Sequence, residues 1–213
     1  MKLIFNSEQE WLEARKGKIT STLASAILGL NPYMTSIDAW EILVGIKEPQ
    51  DISDKPYVQY GKNAEPYIRK LFLLNHPELE IVEEENWVLY VDDNYPFLAA
   101  SGDGMYKYIE SQTLGTIEVK TTEVVASSQR ETWRNGLPNN YYCQCLMEMQ
   151  CMKTDETTLI AELKYAVDSI WRKEYYIKKE DVKEDIDLLI NTLVDFYNKY
   201  VVTKKRPPLV LNF

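Results

Sequence analysis

Apolar residues recur with a helical period through the first third of the chain. The pattern predicts four helices, over residues 8–16, 21–28, 36–44 and 57–74. Ser7 followed by Glu10 has the spacing of a capping box at the first helix, and Gly29 and Gly45 end the second and third. Pro66 lies inside the fourth pattern, where it requires either a kink or the start of a new helix.

The apolar period becomes that of β-strands in the middle of the chain. Runs of β-prone residues between turn residues predict an antiparallel meander of four strands, over residues 87–91, 97–100, 105–108 and 114–121. A helix that is apolar almost all round follows over residues 139–152. Two more strands, 157–166 and 170–177, and an amphipathic helix, 179–200, complete the pattern. This order predicts an α/β fold with a mixed central β-sheet flanked by α-helices.

The composition supports one compact unit. The 213 residues are 45% hydrophobic and 27% charged, which allows a sizeable buried core and favours a single domain over residues 1–213. The chain has no apolar run of the roughly 18 to 20 residues that a membrane span needs, and its start lacks a signal-peptide pattern. We therefore expect a soluble, cytoplasmic protein that does not contact membranes.

The net charge, the single histidine and the three cysteines limit the kinds of binding and catalysis that the chain can support. A formal net charge of −9 argues against nucleic-acid binding through overall attraction, but not against a local basic groove. His76 is the single histidine, so acid-base and metal chemistry would have to use carboxylates and lysines. Cys143, Cys145 and Cys151 are too few and too crowded for a disulfide framework or a zinc or iron-sulfur site, and we expect buried free thiols.

Two acidic residues and a lysine form the candidate reactive group. Glu118 and Lys120 are two apart on a predicted strand and share a face, while Asp103 lies in a turn that a hairpin could return to them. Converging carboxylates suit magnesium, and a nearby ammonium could orient or deprotonate a water or stabilise phosphate charge. The alternative interpretation is a strand-edge ion pair beside an unrelated turn aspartate.

Two further polar residues flank this group. Glu65 falls within the apolar arc of its helix, where a carboxylate needs a metal, a cation or hydrogen-bond donors. Gln144 is one of few polar residues in the nearly apolar helix after the strands. The alternatives are an exposed, kinked helix for Glu65 and a satisfied core amide for Gln144.

A series of motifs occurs in a characteristic order. They are Trp11, Arg15, Gly17, Ile19-Thr20-Ser21, Gly29-Leu30-Asn31-Pro32-Tyr33, Gly61 to Glu65, Ser101 to Gly104, Glu118-Val119-Lys120 and Tyr141-Tyr142-Cys143-Gln144. The series resembles the YqaJ-type viral recombinase family, phage alkaline exonucleases similar to lambda exonuclease within the PD-(D/E)XK nuclease superfamily. The resemblance covers about residues 10–163 and implies a PD-(D/E)XK nuclease-like core.

The resemblance implies roles for the candidate reactive group. The residues matching Asp103 and Glu118 bind catalytic Mg²⁺, for which Mn²⁺ can substitute, and Glu65 adds a carboxylate to the metal site. The residue matching Lys120 helps to activate water, and the one matching Gln144 assists at the scissile end.

The resemblance also implies how the DNA end is held. Arg15 and the hydroxyls of Thr20, Ser21 and Thr22 are expected to bind the 5′-terminal phosphate, for which a guanidinium with hydroxyl donors is well suited. A competing interpretation is that Arg15 pairs with a glutamate of its own helix, Glu10 or Glu13. One departure from the family pattern is Gly102, where proline is usual before the metal-binding aspartate, and it loosens that turn.

Taken with the resemblance, the motifs predict a magnesium-dependent 5′-to-3′ exonuclease of phage-type recombination. It would hydrolyse double-stranded DNA from a 5′-phosphorylated end and leave a 3′ single strand for an annealing protein. The alternatives are a PD-(D/E)XK endonuclease of the restriction or repair type, and a catalytically inactive DNA-binding or inhibitor relative.

The resemblance further implies a homo-oligomeric ring around the duplex, with a trimer favoured over a tetramer. A ring can be acidic outside and basic inside, which would reconcile the net charge of −9 with DNA. Candidate lining or contact residues are Lys16, Lys18, Arg130, Arg134 and Lys204 to Arg206, and the apolar 207–211 segment is expected to dock on protein. The alternative is a monomer with scattered surface lysines.

Overall fold

The computed structural model describes residues 1–166 and 169–209. Four helices precede the main sheet: α1 (Glu8–Arg15), α2 (Ser21–Ile27), α3 (Ser36–Leu43) and α4 (Pro56–Asn75). These match the predicted helices, and Gly29 and Gly45 follow α2 and α3 with φ of 72° and 76°, which glycine adopts readily. The Ser7 hydroxyl accepts from the Glu10 amide at 3.2 Å, as the capping pattern predicts.

Helix α4 runs unbroken through Pro66, so a new helix does not begin there. The proline removes the donor to the Lys62 carbonyl, one turn earlier. Both residues are exposed, and water can therefore take the place of the missing donor. The apolar arc of α4 is only partly buried, because Ile68 and Phe72 lie in the core while Tyr57 is 61% exposed.

Two separate sheets replace the single meander that the sequence predicts. The smaller one has the order β1-β3-β4 and consists of β1 (Lys2–Ile4), β3 (Val88–Val91) and β4 (Ala99–Ala100). The larger one has the order β2-β5-β6-β7-β8 and consists of β2 (Leu79–Val82), β5 (Gly104–Tyr108), β6 (Leu114–Glu123), β7 (Glu156–Ala166) and β8 (Ser169–Lys178). Strands β1 and β2 were not predicted, and each gives its sheet a partner from outside the expected meander.

The larger sheet is mixed, which confirms the predicted fold class. β6 and β7 run parallel, while the β2–β5, β5–β6 and β7–β8 pairs are antiparallel. The parallel pair needs a crossover, which α5 (Ser127–Asn135) and α6 (Asn139–Met152) provide. The sequence predicted α6 with these bounds but missed the polar α5.

Opposite faces of β6 pack against different helices. Ile117 and Val119 lie in one core cluster with Ile68 and Phe72 of α4. Residues 116, 118 and 120 face the other way, toward α6, as the strand period predicts. The three cysteines of α6 are buried and free, which confirms the expectation of buried free thiols.

The final helix is shorter than predicted. Residues Lys179–Asp181 form a 3₁₀ turn, α7 spans Lys183–Phe196, and Tyr197–Val201 form a π-helical turn. The predicted apolar 207–211 segment lies partly outside the described residues, from residue 210 onward. Across residues 1–166 and 169–209, none of the helices combines the length and apolar character that crossing a bilayer requires.

Candidate active site

Asp103 is fixed in the turn between β4 and β5, beside the middle of β6. Its backbone N–H donates to the Ile117 carbonyl at 3.1 Å, and its Oδ2 accepts from the Val119 N–H at 2.8 Å. The β5–β6 hairpin thus returns the chain to Asp103, as the sequence predicts.

Glu118 and Lys120 project from β6 toward α6 and form an ion pair. Glu118 is only 1% exposed, and its Oε1 also accepts from Gln144 Nε2 of α6 at 2.6 Å. Gln144 therefore donates to the candidate metal carboxylate, and its amide is satisfied at the site itself. Glu118 Oε2 is buried without a hydrogen-bond donor among the described residues.

The pKa values of Glu118 and Lys120 are shifted by burial and by the negative charge around them. Burial, and next the charge of Asp103, raise the pKa of Glu118 to about 7. Burial by itself would lower the pKa of Lys120, but the charges of Glu118 and Asp103 outweigh it and raise that pKa above its ordinary value. Lys120 is therefore an ammonium at neutral pH, with its charge also 5.3 Å from the Tyr141 ring centroid.

Glu65 approaches the same group from α4. Burial, followed by the charge of Asp103, raises the pKa of Glu65 to about 7. Its Oε1 lies 3.5 Å from Arg69 Nη2, one turn later on α4. The structure thus brings Glu65 within electrostatic reach of Asp103, with a cation partly compensating its charge.

Glu148 is a fourth carboxylate that the sequence reasoning missed. It lies on α6 one turn after Gln144, is fully buried, and has no hydrogen-bond donor for either oxygen among the described residues. Burial, and next the charge of Glu118, raise its pKa well above the ordinary value. The signal was present in the sequence: an acidic residue four positions from Gln144, on the same face of a nearly apolar helix.

These residues fit a magnesium site of two carboxylates completed by water and substrate. Within the described ranges no three acidic, histidine or cysteine side chains converge on one point as ligands. Magnesium nevertheless often binds to one or two carboxylates and keeps several waters or phosphate oxygens. Asp103 and Glu118 supply hard oxygens. Glu118 Oε2 has no hydrogen-bond partner among the described residues, and it is the atom that a cation would bind.

A small cavity of about 40 Å³ adjoins Gln144, the residue that donates to Glu118. The residues that line it are Arg15, Thr20, Ser21, Thr22, Ala100, Ser101 and Gln144. The first four are those predicted to hold the 5′-phosphate. Ser21 Oγ is buried there without a hydrogen-bond partner in the part of the chain that the structure describes. Loop and helix residues far apart in sequence thus meet in one polar cavity.

Arg15 presents a partly buried guanidinium to this cavity. Its Cζ lies 4.2 Å from the Trp11 ring centroid, and burial lowers its pKa. Among residues 1–166 and 169–209 it forms no ion pair; Glu13 pairs instead with Lys16, and Glu10 accepts from the Asn6 N–H. The expected alternative, pairing with a glutamate of its own helix, is therefore wrong.

Gly102 packs against the methionine that ends α6. A Cβ at this position would lie 3.3 Å from both Sδ and Cε of Met152. That distance is tighter than ordinary contact, so a larger residue here would require the flexible Met152 side chain to move. Gly102 stands where the family usually has proline, and Met152 fills the space beside it. Asp103 keeps its hydrogen bonds to β6.

Comparison with known proteins gives one family match and several similar structures. Residues 10–158 match the family described as the YqaJ-like viral recombinase domain. The crystal structure of the alkaline exonuclease LHK-Exo from Laribacter hongkongensis is 19% identical, with a TM-score of 0.63 over 93% of this chain and 96% of that chain. Its complex with dAMP has a TM-score of 0.64 at the same identity and coverage.

A more distant structure shares the fold. The phage related exonuclease from Haemophilus somnus 129PT is 14% identical, with a TM-score of 0.52 over 88% of this chain and 96% of that chain. No curated protein matches the chain. At these identities the structural similarities establish the fold, and the family match over residues 10–158 confirms the resemblance seen in the sequence.

Proposed function

The chain belongs to the YqaJ-like viral recombinase family and is a nuclease with the alkaline exonuclease fold, and from this premise we propose that it degrades linear double-stranded DNA from 5′-phosphorylated ends. The observation that carries the proposal is the dual position of Gln144. It lines the cavity of Arg15 and also donates to Glu118 at 2.6 Å. A terminal phosphate in that cavity would therefore lie next to the carboxylates.

The chain's own groups divide the work of phosphodiester hydrolysis. Asp103 and Glu118 would hold a divalent cation, with Glu65 nearby. When bound, such an ion supplies charge stabilisation to the phosphate and lowers the pKa of water. Lys120 is already protonated, so it would orient the attacking water or donate to a phosphate oxygen rather than act as a base.

Anchoring the 5′-phosphate makes the reaction repeatable. Water would add to phosphorus as the bond to the 3′-oxygen breaks, so the remaining strand keeps a new 5′-phosphate. Arg15 and the hydroxyls of Thr20 and Ser21 could then hold this phosphate in turn, and the complementary strand would be left as a 3′ single strand.

The same proposal implies where the protein acts, what it passes its product to and how it assembles. The protein would act in the cytoplasm of a bacterial host, as part of phage-type recombination, and pass the single strand to an annealing protein. A ring of three or four copies would keep a chain of net charge −9 on the polyanionic duplex by enclosure.

A direct test offers the purified protein three substrates with Mg²⁺: linear duplex with 5′-phosphate, linear duplex with 5′-hydroxyl, and covalently closed circles. We expect fast loss of the phosphorylated duplex, slower loss of the hydroxyl form, intact circles and no reaction in chelator. Cutting of circles would support an endonuclease instead. No hydrolysis of any substrate with Mg²⁺ or Mn²⁺ would indicate an inactive relative.

A further inference from the structure

Beyond the candidate active site, a surface cation rests on an aromatic ring instead of a carboxylate. Arg130 of α5 lies with its Cζ 5.3 Å from the Tyr165 ring centroid, and the Tyr165 ring meets that of Trp171 edge to face at 5.9 Å. We call Arg130, Tyr165 and Trp171 the aromatic corner. In the described part of the chain, neither Arg130 nor its neighbour Arg134 forms an ion pair, although acidic residues outnumber basic ones 33 to 24.

The strand register places the aromatic corner on the same face of the sheet as the active site. Lys120 pairs with Ala161, and Trp171 pairs with Leu163, two residues further along β7. Ala161 and Leu163 belong to one buried cluster with Trp133 of α5, so Lys120 and Trp171 project to the same side. Two residues along a strand and two strands across correspond to about 12 Å between their Cα atoms.

A row of rings runs from the active site across the buried cluster against which Tyr165 also packs. Tyr141, whose ring is 5.3 Å from Lys120 Nζ, stacks on Trp133 with centroids 5.7 Å apart. Trp133 in turn lies 5.9 Å from Tyr175 of β8. Trp133 is buried and Tyr141 and Tyr175 are partly buried, whereas Trp171 is 65% exposed. The outermost ring is therefore open to a ligand.

We propose that the aromatic corner binds unpaired DNA, with a base stacked on Trp171 and a phosphate against Arg130. The inference rests on the proposed function, because resection leaves a single strand beside the site. Unpaired bases offer free ring faces, which stacked base pairs do not, and stacking beside a cation suits any base sequence. Single-stranded DNA is therefore the ligand that matches both the exposed ring and the unpaired charge.

The test is binding of the full chain to a fluorescent oligothymidylate of about 20 nucleotides, followed by anisotropy in chelator so that nothing is cleaved. We expect Trp171→Ala to weaken binding about tenfold and Trp171→Phe, which keeps a ring, to restore most of it. Arg130→Gln should reduce the slope of log affinity against log salt by about 0.7. Two matched controls, Tyr176→Ala on the opposite face of β8 and Lys183→Gln on α7, should bind like the unmodified protein.

The outcomes separate this inference from the proposed function. Equal affinities of Trp171→Ala and Tyr176→Ala, in a protein that still degrades linear duplex, would overturn the inference and leave the exonuclease proposal standing. A changed molecular mass of Trp171→Ala with unchanged oligonucleotide affinity would assign the aromatic corner to protein contact instead. Failure of the unmodified protein to degrade duplex, with ring-dependent binding intact, would contradict the exonuclease alone.

Discussion

Glu148 of α6 and Glu118 of β6 are both buried, and the charge of Glu118 adds to burial in raising the pKa of Glu148. Two buried carboxylates that interact in this way repel each other unless one keeps a proton, and among the described residues neither oxygen of Glu148 has a hydrogen-bond partner. With Asp103 and Glu65 nearby, the charges of Lys120 and Arg69 do not balance those of the four carboxylates. The site therefore favours the uptake of protons or cations.

We predict that the metal-free protein loses stability as the pH rises from about 4.5 to about 7, the range set by the raised pKa values of Glu118 and Glu65. In this range the folded state keeps protons that the unfolded state releases, so the free energy of unfolding falls, on the order of 3 kcal/mol for Glu118. Urea unfolding in chelator at pH 5 and pH 8 measures the difference.

Glu148→Gln is the matched variant for that experiment, because the amide keeps the shape and cannot ionise. Its unfolding free energy should depend less on pH than that of the unmodified protein. Added Mg²⁺ should stabilise the unmodified protein more at pH 8 than at pH 5. Equal stability of the unmodified protein at both pH values in chelator would contradict the prediction.

Neutralising either proposed metal carboxylate, by Asp103→Asn or Glu118→Gln, should lower the rate of duplex hydrolysis about 100-fold or more. Lys120→Met should do the same by removing the ammonium, and circular dichroism should show retained folding for all three. Glu162→Gln is the control, since Glu162 is also buried in the sheet but pairs with Arg172 on the opposite face, toward α4. A fully active Glu118→Gln would refute the assigned role.

Arg15→Gln should abolish the preference for a phosphorylated 5′ end. A charge-assisted hydrogen bond to phosphate contributes about 1.5 to 3 kcal/mol, so the preference should fall from about tenfold or more toward equality. Initial rates on paired phosphate and hydroxyl substrates measure the ratio. Lys16→Gln is the control, because Lys16 is exposed and bound to Glu13 at 2.9 Å; an unchanged ratio in Arg15→Gln would remove Arg15 from the anchor.

Asp38→Asn should destabilise the protein by about 1 kcal/mol at pH 7. Asp38 completes a capping box with Thr35, and its bonds to Lys47 and then Thr35 lower its pKa to about 2. A depressed pKa contributes stability above the unfolded value of 3.8, and that contribution is lost as the pH falls toward 2. The difference between the two proteins, measured by urea unfolding, should therefore shrink between pH 4 and pH 2.

Light scattering decides the assembly state. We expect a mass of three or four times the 24.9 kDa of the chain across micromolar concentrations. A mass of 24.9 kDa at every concentration would exclude the ring. Enclosure could then not explain how a chain of net charge −9 stays on DNA.

The sequence by itself determined the elements with a clear local pattern. The cap and glycine signals defined α1 to α3, and the unbroken apolar run defined α6 with its bounds. The strand period placed Glu118 and Lys120 on one face of β6, because alternation depends only on the backbone of that strand. The motif order predicted the family, because the motifs are read from the sequence alone.

Only the tertiary structure decided which strands share a sheet, and what surrounds the charges. Strand partners and burial depend on contacts between distant segments, which no local period encodes. Glu148 is therefore an ordinary helix residue in the sequence but a buried carboxylate against Glu118 in the fold. Likewise, Arg15 could pair with its own helix by spacing alone, yet packing places it on Trp11 and in the cavity with Ser21.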